Sequence, residues 1–262
     1  MRRSLYNKQE GIRIVPLLQT KQLTKRFGSL YAVNEVDYSI EDKQTVGIIG
    51  SNGSGKTTFF NLLSGYYFPT SGEIYYDGER IDKLSPVDRT HIGIVRTFQL
   101  VSVFETLTVW DNLVLSTYSA RDAQEKKSIS FFFKERKDEE IHESCLEALR
   151  VVGLEDKADR LTKEISYGDK RLLEIAIVLS LKPRLLLLDE PFAGLSDHEI
   201  GFISELILKL KGTITQIIIE HKISKIQDFA EKLSVFHEGR LICEGGSDFV
   251  LNDEEVRKCY WG

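Results

Sequence analysis

The sequence contains few cysteines and no long apolar run. Its three cysteines, Cys145, Cys243 and Cys259, are far apart and odd in number, a pattern atypical of a disulfide framework or a structural zinc site. A reducing compartment is therefore expected, and the cytosol is the simplest. No apolar run approaches the roughly 18–20 residues that are needed to cross a bilayer. The sequence thus predicts no transmembrane helix.

An excess of positive charge is also lacking. The formal net charge is −5 over 262 residues, so nucleic acid is not an expected partner. The first eleven residues contain two arginines and then become polar instead of entering an apolar segment, so no secretory signal is expected. The length suits one large domain, or one domain that carries a subdomain.

What the sequence does contain is an alternation of short β-rich runs with helical patterns. The runs at 46–49, 185–188 and 217–219 are apolar on both alternating faces, which is typical of parallel strands covered by helices on both sides. The runs at 36–40 and 73–76 alternate in polarity, which favours a smaller antiparallel layer. The predicted strands are 17–23, 36–40, 46–49, 73–76, 185–189, 216–219, 233–237 and 241–244.

The middle of the sequence favours helices. Four apolar residues recur there at helical spacing and a glycine follows them, which predicts an amphipathic helix that ends at the glycine. These residues are Ile141, Cys145, Leu149, Val152 and the terminating Gly153. Three phenylalanines at 131–133 either pack on the helices of this region or dock on a membrane partner, and the sequence leaves both interpretations open.

Residues 50–57, GSNGSGKT, match the G-x-x-x-x-G-K-[ST] pattern of a phosphate-binding loop. The loop follows the apolar run at 46–49 and precedes a predicted helix at 58–64, which is the context that the pattern requires. Glycines allow backbone N–H groups to surround phosphate oxygens, Lys56 reaches the β- and γ-phosphates, and Thr57 offers its hydroxyl to Mg²⁺. The residues expected to bind nucleotide are Asn52, Gly53, Ser54, Gly55, Lys56, Thr57 and Thr58.

Two adjacent acids follow the four leucines at 185–188. A buried strand that ends at Asp189 would deliver this carboxylate to the metal of a phosphate-loop site. Glu190 comes one residue later, where it is expected to polarise an attacking water as the catalytic base. Acids at a strand end are also common in solvated turns, but the phosphate-binding loop favours the functional interpretation.

Two further polar residues, Gln99 and His221, each follow a β-rich run. Side chains at such strand ends reach the crevice of an open α/β sheet. Gln99 is expected to ligate Mg²⁺ and to sense the γ-phosphate, and His221 is expected to donate a hydrogen bond to the γ-phosphate. A lone glutamine or histidine more often has a structural role. The functional hypothesis for Gln99 and His221 therefore rests on their position at the ends of predicted strands.

In order and spacing these motifs resemble those of the ATP-binding-cassette (ABC) ATPases, from about residue 17 to the last residue. Residues 165–169, ISYGD, are similar to the LSGGQ signature of that family, with Ser166 and Gly168 matching. The resemblance implies an α/β fold, the ABC ATPase fold. Its phosphate-loop NTPase core, with a mostly parallel sheet and an antiparallel β subdomain, would span 17–98 and 168–262. An inserted helical subdomain, 99–167, would carry the signature turn at its end, and 1–16 would be an N-terminal extension.

The resemblance also implies ATP and Mg²⁺ as cofactors and a head-to-tail dimer. ATP would lie between the phosphate-binding loop of one chain and the signature turn of a second ATPase chain, with Ser166 and Gly168 at the γ-phosphate. The second chain is either a copy of this one or a paralogue. The adenine-stacking aromatic of the family corresponds to Phe27, with Tyr31 as the alternative. Ser196 stands where many members have an aspartate that communicates across the dimer, and Asp197 is the adjacent acid.

Three segments look like those of ATPases from branched-chain amino acid and urea or amide importers, namely 93–99, 103–109 and 256–262. This finer resemblance implies an ATP-hydrolysing subunit at the cytoplasmic face of the inner (plasma) membrane, attached peripherally and only through transmembrane permease subunits. Within this group, residues 167–171 are slightly more similar to the ATPases of the urea-type importers. The alternatives are the ATPase of an exporter, for example of the lipopolysaccharide-transport kind, and a soluble ABC ATPase that acts on DNA or ribosomes.

Overall fold

The structure is a computed structural model that describes residues 15–97, 102–122, 135–221 and 223–261. Its strands are β1 (Leu18–Phe27), β2 (Leu30–Ile40), β3 (Thr45–Gly50), β4 (Ser71–Tyr76), β5 (Glu79–Arg80), β6 (Ile94–Arg96), β7 (Leu185–Asp189), β8 (Thr215–Ile219), β9 (Lys232–His237) and β10 (Arg240–Gly245). Its α-helices are α1 (Lys56–Leu63), α2 (Pro86–His91), α3 (Val109–Asp122), α4 (Glu135–Val152), α5 (Tyr167–Ser180), α6 (Asp197–Leu210), α7 (Ser247–Asn252) and α8 (Glu254–Trp261).

A six-stranded sheet forms the centre of the described fold, with the strand order β10-β9-β3-β8-β7-β6. Strands β9, β3, β8, β7 and β6 pair in parallel, and β10 is antiparallel to β9. Every residue of β3, β7 and β8 is buried, because both faces of the sheet are covered. Helices α3 to α6 pack on one face, whereas α1 and a second, antiparallel sheet pack on the other, so the expected cover of helices is found on one face only. The parallel α/β core predicted from these apolar runs is thus confirmed.

A second sheet, of four antiparallel strands, has the order β2-β1-β4-β5. It contains the two runs that were predicted to form an antiparallel layer. Strand β2 begins at Leu30, earlier than the predicted start at 36. The reason is local: Glu35 has a φ of 52° and the pairing of β1 with β2 shifts register there, so the alternation of polarity is broken before Val36.

Helices α3, α4 and α5 pack together beside the large sheet, and their buried residues belong to one apolar cluster. The four apolar residues predicted to line one face of a helix are all buried in α4. Gly153 follows α4 with a φ of 71°, the left-handed conformation that commonly ends helices. The predicted amphipathic helix is therefore confirmed. The phenylalanines at 131–133 lie outside the described residues.

The proposed subdomain boundary between 167 and 168 falls in the first turn of α5 (Tyr167–Ser180). The segment expected to be a polar turn at 165–169 therefore includes the N-terminus of that helix. Most of the expected N-terminal extension, 1–14, lies outside the described residues. Within the described part of the chain, no helix combines the length and the apolar character that a membrane span requires.

Candidate functional site

The phosphate-binding loop connects β3 to α1 and depends on glycine. Gly53 and Gly55 have φ values of 79° and 102°, which lie in the left-handed region that glycine enters without steric cost. A Cβ atom at Gly55 would come 2.2 Å from the carbonyl oxygen of Ala32, so the backbone packs too closely there for any side chain. The loop thus leads into the N-terminus of α1, whose unpaired N–H groups favour anions.

Lys56 is buried at the start of α1, with 4% of its surface exposed. Its Nζ donates hydrogen bonds to the carbonyl oxygens of Gly50 at 2.8 Å and Ser51 at 3.0 Å. Burial lowers the pKa of Lys56 from its ordinary value, and the negative charges of Glu190 and Asp189 oppose that shift. The ammonium group is therefore held inside the loop, where phosphate oxygens can replace the carbonyls as acceptors.

A cleft of about 710 Å³ opens over this loop. Both aromatic candidates for stacking on adenine, Phe27 and Tyr31, line it, and so do Glu190 and His221. The cleft thus contains most of the residues predicted to form one nucleotide site. The lining residues are Phe27, Leu30, Tyr31, Ala32, Asn52, Gly53, Ser54, Gly55, Lys56, Thr57, Thr58, Glu190, His221 and Glu238. Gln99 lies outside the described residues.

Glu190 and His221 contact each other at the carboxyl ends of β7 and β8. The Nε2 atom of His221 lies 2.6 Å from Oε1 of Glu190, a hydrogen-bond distance. Glu190 has a φ of 48°, a left-handed conformation that costs a residue other than glycine about 1 kcal/mol or more. The backbone is held there by hydrogen bonds from Glu190 N to Ile219 O at 3.0 Å and from Arg171 Nη2 to Glu190 O at 3.2 Å.

Two residues that were not predicted from the sequence support this pair. Arg171 is 1% exposed and reaches from α5 to the backbone of Glu190. Glu220 is buried, and its carboxylate accepts hydrogen bonds from the backbone N–H groups of Phe192 and His221. Burial raises the pKa of Glu220 above its ordinary value. A charged residue inside an apolar pattern was the one available signal for Arg171.

Asp189 lies at the end of β7 and is 1% exposed. Its Oδ2 atom accepts a hydrogen bond from Arg96 Nη2 at 2.6 Å, whereas Oδ1 is buried and has no hydrogen-bond partner among the described residues. A buried carboxylate oxygen without a protein partner suits a divalent cation. Thr57 lines the adjoining cleft, so Asp189 and Thr57 fit the pair that holds Mg²⁺ in phosphate-loop NTPases.

Ser166 and Gly168 lie in a different cleft, of about 570 Å³. Ser166 is the N-cap of α5, and its Oγ accepts a hydrogen bond from Asp169 N at 3.0 Å while Asp169 Oδ2 accepts one from Ser166 N at 3.3 Å. This capping box explains the acid at position 169. Asp169 also pairs with Lys157 Nζ at 2.7 Å, so the residue that departs from the family signature stabilises the helix start.

The carboxylate of Glu199 accepts hydrogen bonds from the first turns of both α5 and α6. Ser196 is the N-cap of α6 and forms a capping box with Glu199, which accounts for a serine at a position where many ABC ATPases have aspartate. Glu199 Oε1 also accepts a hydrogen bond from Gly168 N at 3.1 Å. Hydrogen bonds from Ser196 hold the pKa of Glu199 below its ordinary value. Asp197 is exposed in the first turn of α6.

A glycine-rich loop after a central parallel strand and two acids at the end of a nearby strand define a phosphate-loop nucleotide-binding protein. The sequence profile described as ABC transporter matches residues 33–193. The chain is 36% identical over 253 residues to the high-affinity branched-chain amino acid transport ATP-binding protein BraF of Pseudomonas aeruginosa, a match that covers 94% of this chain and 98% of that protein. It is 34% identical, with the same coverage, to the corresponding LivG protein of Escherichia coli K12.

Solved structures agree with this assignment. The ADP conformation of MJ1267, an ATP-binding cassette of an ABC transporter, matches with a TM-score of 0.83 and 32% identity over 95% of this chain and 99% of that one. A dimeric structure of MJ0796, a bacterial ABC transporter cassette, matches with a TM-score of 0.71 and 26% identity over 87% and 98% of the two chains. The chain belongs to the ABC transporter family, and the predicted family and fold class are confirmed.

Replacing Gly168 tests the link between the two helix starts. A Cβ atom at Gly168 would lie 2.3 Å from Glu199 Oε1, so the carboxylate must leave the Gly168 N–H group. We expect Gly168→Ala to have a free energy of unfolding about 1–2 kcal/mol lower than Gly201→Ala, because it loses a hydrogen bond and gains strain. Gly201 is the matched control, since nothing lies within 4 Å of an added Cβ there. Equal stabilities in urea denaturation would contradict the link.

Proposed function

We propose that this chain is the ATP-hydrolysing subunit of an importer for branched-chain amino acids, urea or related amides. The observation that carries the proposal is the similarity to BraF and LivG, which extends over 94% of the chain. Within that length lies a cleft whose lining has the composition of an ATP site. An ATPase subunit rarely contacts the transported solute, so the solute class rests on the relatives alone.

Within the cleft we assign the following roles. The loop N–H groups and Lys56 bind the β- and γ-phosphates, and Phe27 stacks on the adenine, with Tyr31 as the alternative. Thr57 and Asp189, together with Gln99, would hold Mg²⁺, which neutralises charge on the phosphates when it is bound. These assignments are supported by the position of Phe27, Tyr31, the loop residues and Thr57 around one cleft. Asp189 directly precedes Glu190, which lines that cleft, and its charge acts on Lys56.

Hydrolysis is assigned to the pair of Glu190 and His221. Glu190 accepts a proton from the water whose oxygen attacks the γ-phosphorus, and the bond between the γ-phosphorus and the bridging oxygen breaks to leave ADP and phosphate. His221 orients the Glu190 carboxylate through the 2.6 Å contact of its Nε2 atom. When ATP is bound, the same N–H group would donate to the γ-phosphate in place of this contact. The left-handed backbone at Glu190 fixes the direction of its side chain.

A second ATPase chain would complete the site. Ser166 and Gly168 line a cleft separate from the one that contains Lys56 and Glu190, so one chain carries parts of two nucleotide sites. The dimeric cassette among the structural relatives supports a head-to-tail arrangement, in which the Ser166 hydroxyl and the Gly168 N–H group of one chain approach the γ-phosphate on the other. The second chain is a copy or a paralogue.

Transmembrane permease subunits are the proposed membrane partners, and the chain would sit peripherally at the cytoplasmic face of the inner membrane. Closure of the ATPase dimer on ATP and its reopening after hydrolysis would drive the permeases between outward-facing and inward-facing states. Purification in mild detergent tests this arrangement. Recovery of multi-span permeases is expected, whereas recovery of ribosomes or DNA instead would contradict the transporter.

A measurement of solute uptake in cells tests the proposed importer function more directly. In cells whose own copy is replaced by Glu190→Gln, uptake of labelled leucine or urea is expected to fall to the level of the deletion strain. The permeases should still co-purify with the variant, which separates lost hydrolysis from lost assembly. Normal uptake of both solutes together with accumulation of a lipid or lipopolysaccharide precursor would point instead to an exporter.

A further inference from the structure

Arg96 makes an unusual connection at the end of β6. Its side chain is 9% exposed and reaches Asp189, which is 1% exposed, through Nη2 and Oδ2 at 2.6 Å. The other terminal nitrogen, Nη1, donates to Asn61 Oδ1 at 2.5 Å and lies 3.4 Å from Ser64 Oγ. The guanidinium also lies over the ring of Phe60, 5.6 Å from its centroid. Arg96 is therefore held by α1 on one side and by the end of β7 on the other.

This ion pair is not explained by packing alone. A buried ion pair contributes little net stability compared with well-packed apolar residues, because both charges lose their hydration. Another buried arginine, Arg89, shows the alternative, since it is fully buried and donates to three main-chain carbonyl groups. Arg96 instead neutralises the acid that is assigned to the divalent cation.

Four charged groups around Asp189 balance one another in this arrangement. Lys56 and Arg96 carry positive charge, and Asp189 and Glu190 carry negative charge. A divalent cation that arrived alone would add two positive charges beside two existing ones, which Coulomb repulsion disfavours. ATP brings negative phosphate oxygens, and Mg²⁺ is usually bound by one or two carboxylates together with such phosphates.

We propose that Arg96 makes binding of the divalent cation depend on the nucleotide. It holds Oδ2 of Asp189 and balances the carboxylate charge. This leaves Oδ1, which has no hydrogen-bond partner among the described residues, for a cation that comes with the phosphates. Arg96 is thus a positioning residue, comparable to the outer-shell partners that orient metal ligands elsewhere. The inference rests on the proposed function, because it takes Asp189 as a ligand of the cation.

Thermal unfolding without nucleotide tests this role. In Arg96→Gln the Asp189 charge stays buried without its partner, so the melting temperature is expected to fall. Added Mg²⁺ should restore it, because the cation can take the place of the guanidinium, and the affinity for free Mg²⁺ should rise at least about tenfold. The wild-type protein should show no such response in a magnesium titration at constant ionic strength.

Two variants control the experiment. Arg89→Gln removes a comparably buried arginine whose hydrogen-bond acceptors, within the described part of the chain, are main-chain carbonyl groups and no carboxylate. The melting temperature of this variant should therefore fall without any response to Mg²⁺. Adding Asp189→Asn to Arg96→Gln removes the unpaired charge and should abolish the response. If Arg96→Gln alone fails to fold, the double variant should still fold, and Arg96→Gln should become soluble on refolding with Mg²⁺.

The inference is overturned if Mg²⁺ fails to stabilise Arg96→Gln, or if it stabilises Arg89→Gln equally. Titration of the wild-type protein with ATP and Mg²⁺ separates this failure from failure of the proposed function. Normal nucleotide binding together with an unresponsive Arg96→Gln removes only the role of Arg96. Absence of nucleotide binding by the wild-type protein would remove the proposed function itself.

Discussion

Replacing Lys56 with alanine is expected to abolish measurable ATP binding. The ammonium group lies inside the phosphate-binding loop, on the carbonyl oxygens of Gly50 and Ser51, where it would meet the phosphates. Each hydrogen bond to a charged group contributes about 1.5–3 kcal/mol, so losing two such contacts weakens affinity at least about 100-fold. Isothermal titration calorimetry with ATP and Mg²⁺ measures this loss.

Lys83→Ala is the control for this variant, because Lys83 is an exposed lysine that does not line the cleft. It should bind ATP like the wild-type protein. Circular dichroism of Lys56→Ala should show a folded chain, so that lost affinity is not lost structure. Affinity within a few-fold of the wild-type value would contradict the assignment of the loop.

Glu190→Gln is expected to bind ATP but to hydrolyse it about 10²–10⁴-fold more slowly, the range that general-base catalysis supplies. The amide keeps the size of the side chain and can still form a hydrogen bond with His221, whose Nε2 lies 2.6 Å from Glu190 Oε1. It cannot accept the proton of the attacking water. Phosphate release at saturating ATP is the measurement.

Glu143→Gln removes a carboxylate from an exposed position on α4 and should hydrolyse ATP at the wild-type rate. Since Glu190→Gln retains ATP, we also expect ATP to increase its dimerisation, with itself or with the paralogous ATPase, in sedimentation velocity. Turnover of Glu190→Gln at the wild-type rate would exclude Glu190 as the base.

The strands, the loop and the helix face that follow a local sequence pattern could be predicted from the sequence. The runs that became β3, β7 and β8 are apolar on both faces, and a strand with both faces buried has that composition. The sequence did not show that the second sheet, together with α1, covers one of these faces. The phosphate-binding loop needs glycine at specific backbone conformations, so its spacing is visible in one chain. The apolar face of α4 follows the helical period.

Contacts between residues that are far apart in the sequence could not be predicted. Arg96 and Asp189 are 93 positions apart, and Gly168 and Glu199 are 31 apart, so no periodicity connects them. Asp169 was visible as a departure from the family signature, but its capping role required the position at which α5 begins. The hydrogen bond between His221 and Glu190 follows from β7 and β8 being neighbours in the sheet, which the sequence did not establish.

In the proposed mechanism, one cleft binds ATP through Lys56 and hydrolyses it through Glu190. The most direct test incubates each protein with ATP labelled in the adenine, collects the protein on a filter and identifies the bound nucleotide. We expect the wild-type protein to accumulate ADP over time, Glu190→Gln to retain ATP, and Lys56→Ala to retain nothing. Nucleotide on Lys56→Ala, or ADP formed by Glu190→Gln at the wild-type rate, would contradict this mechanism.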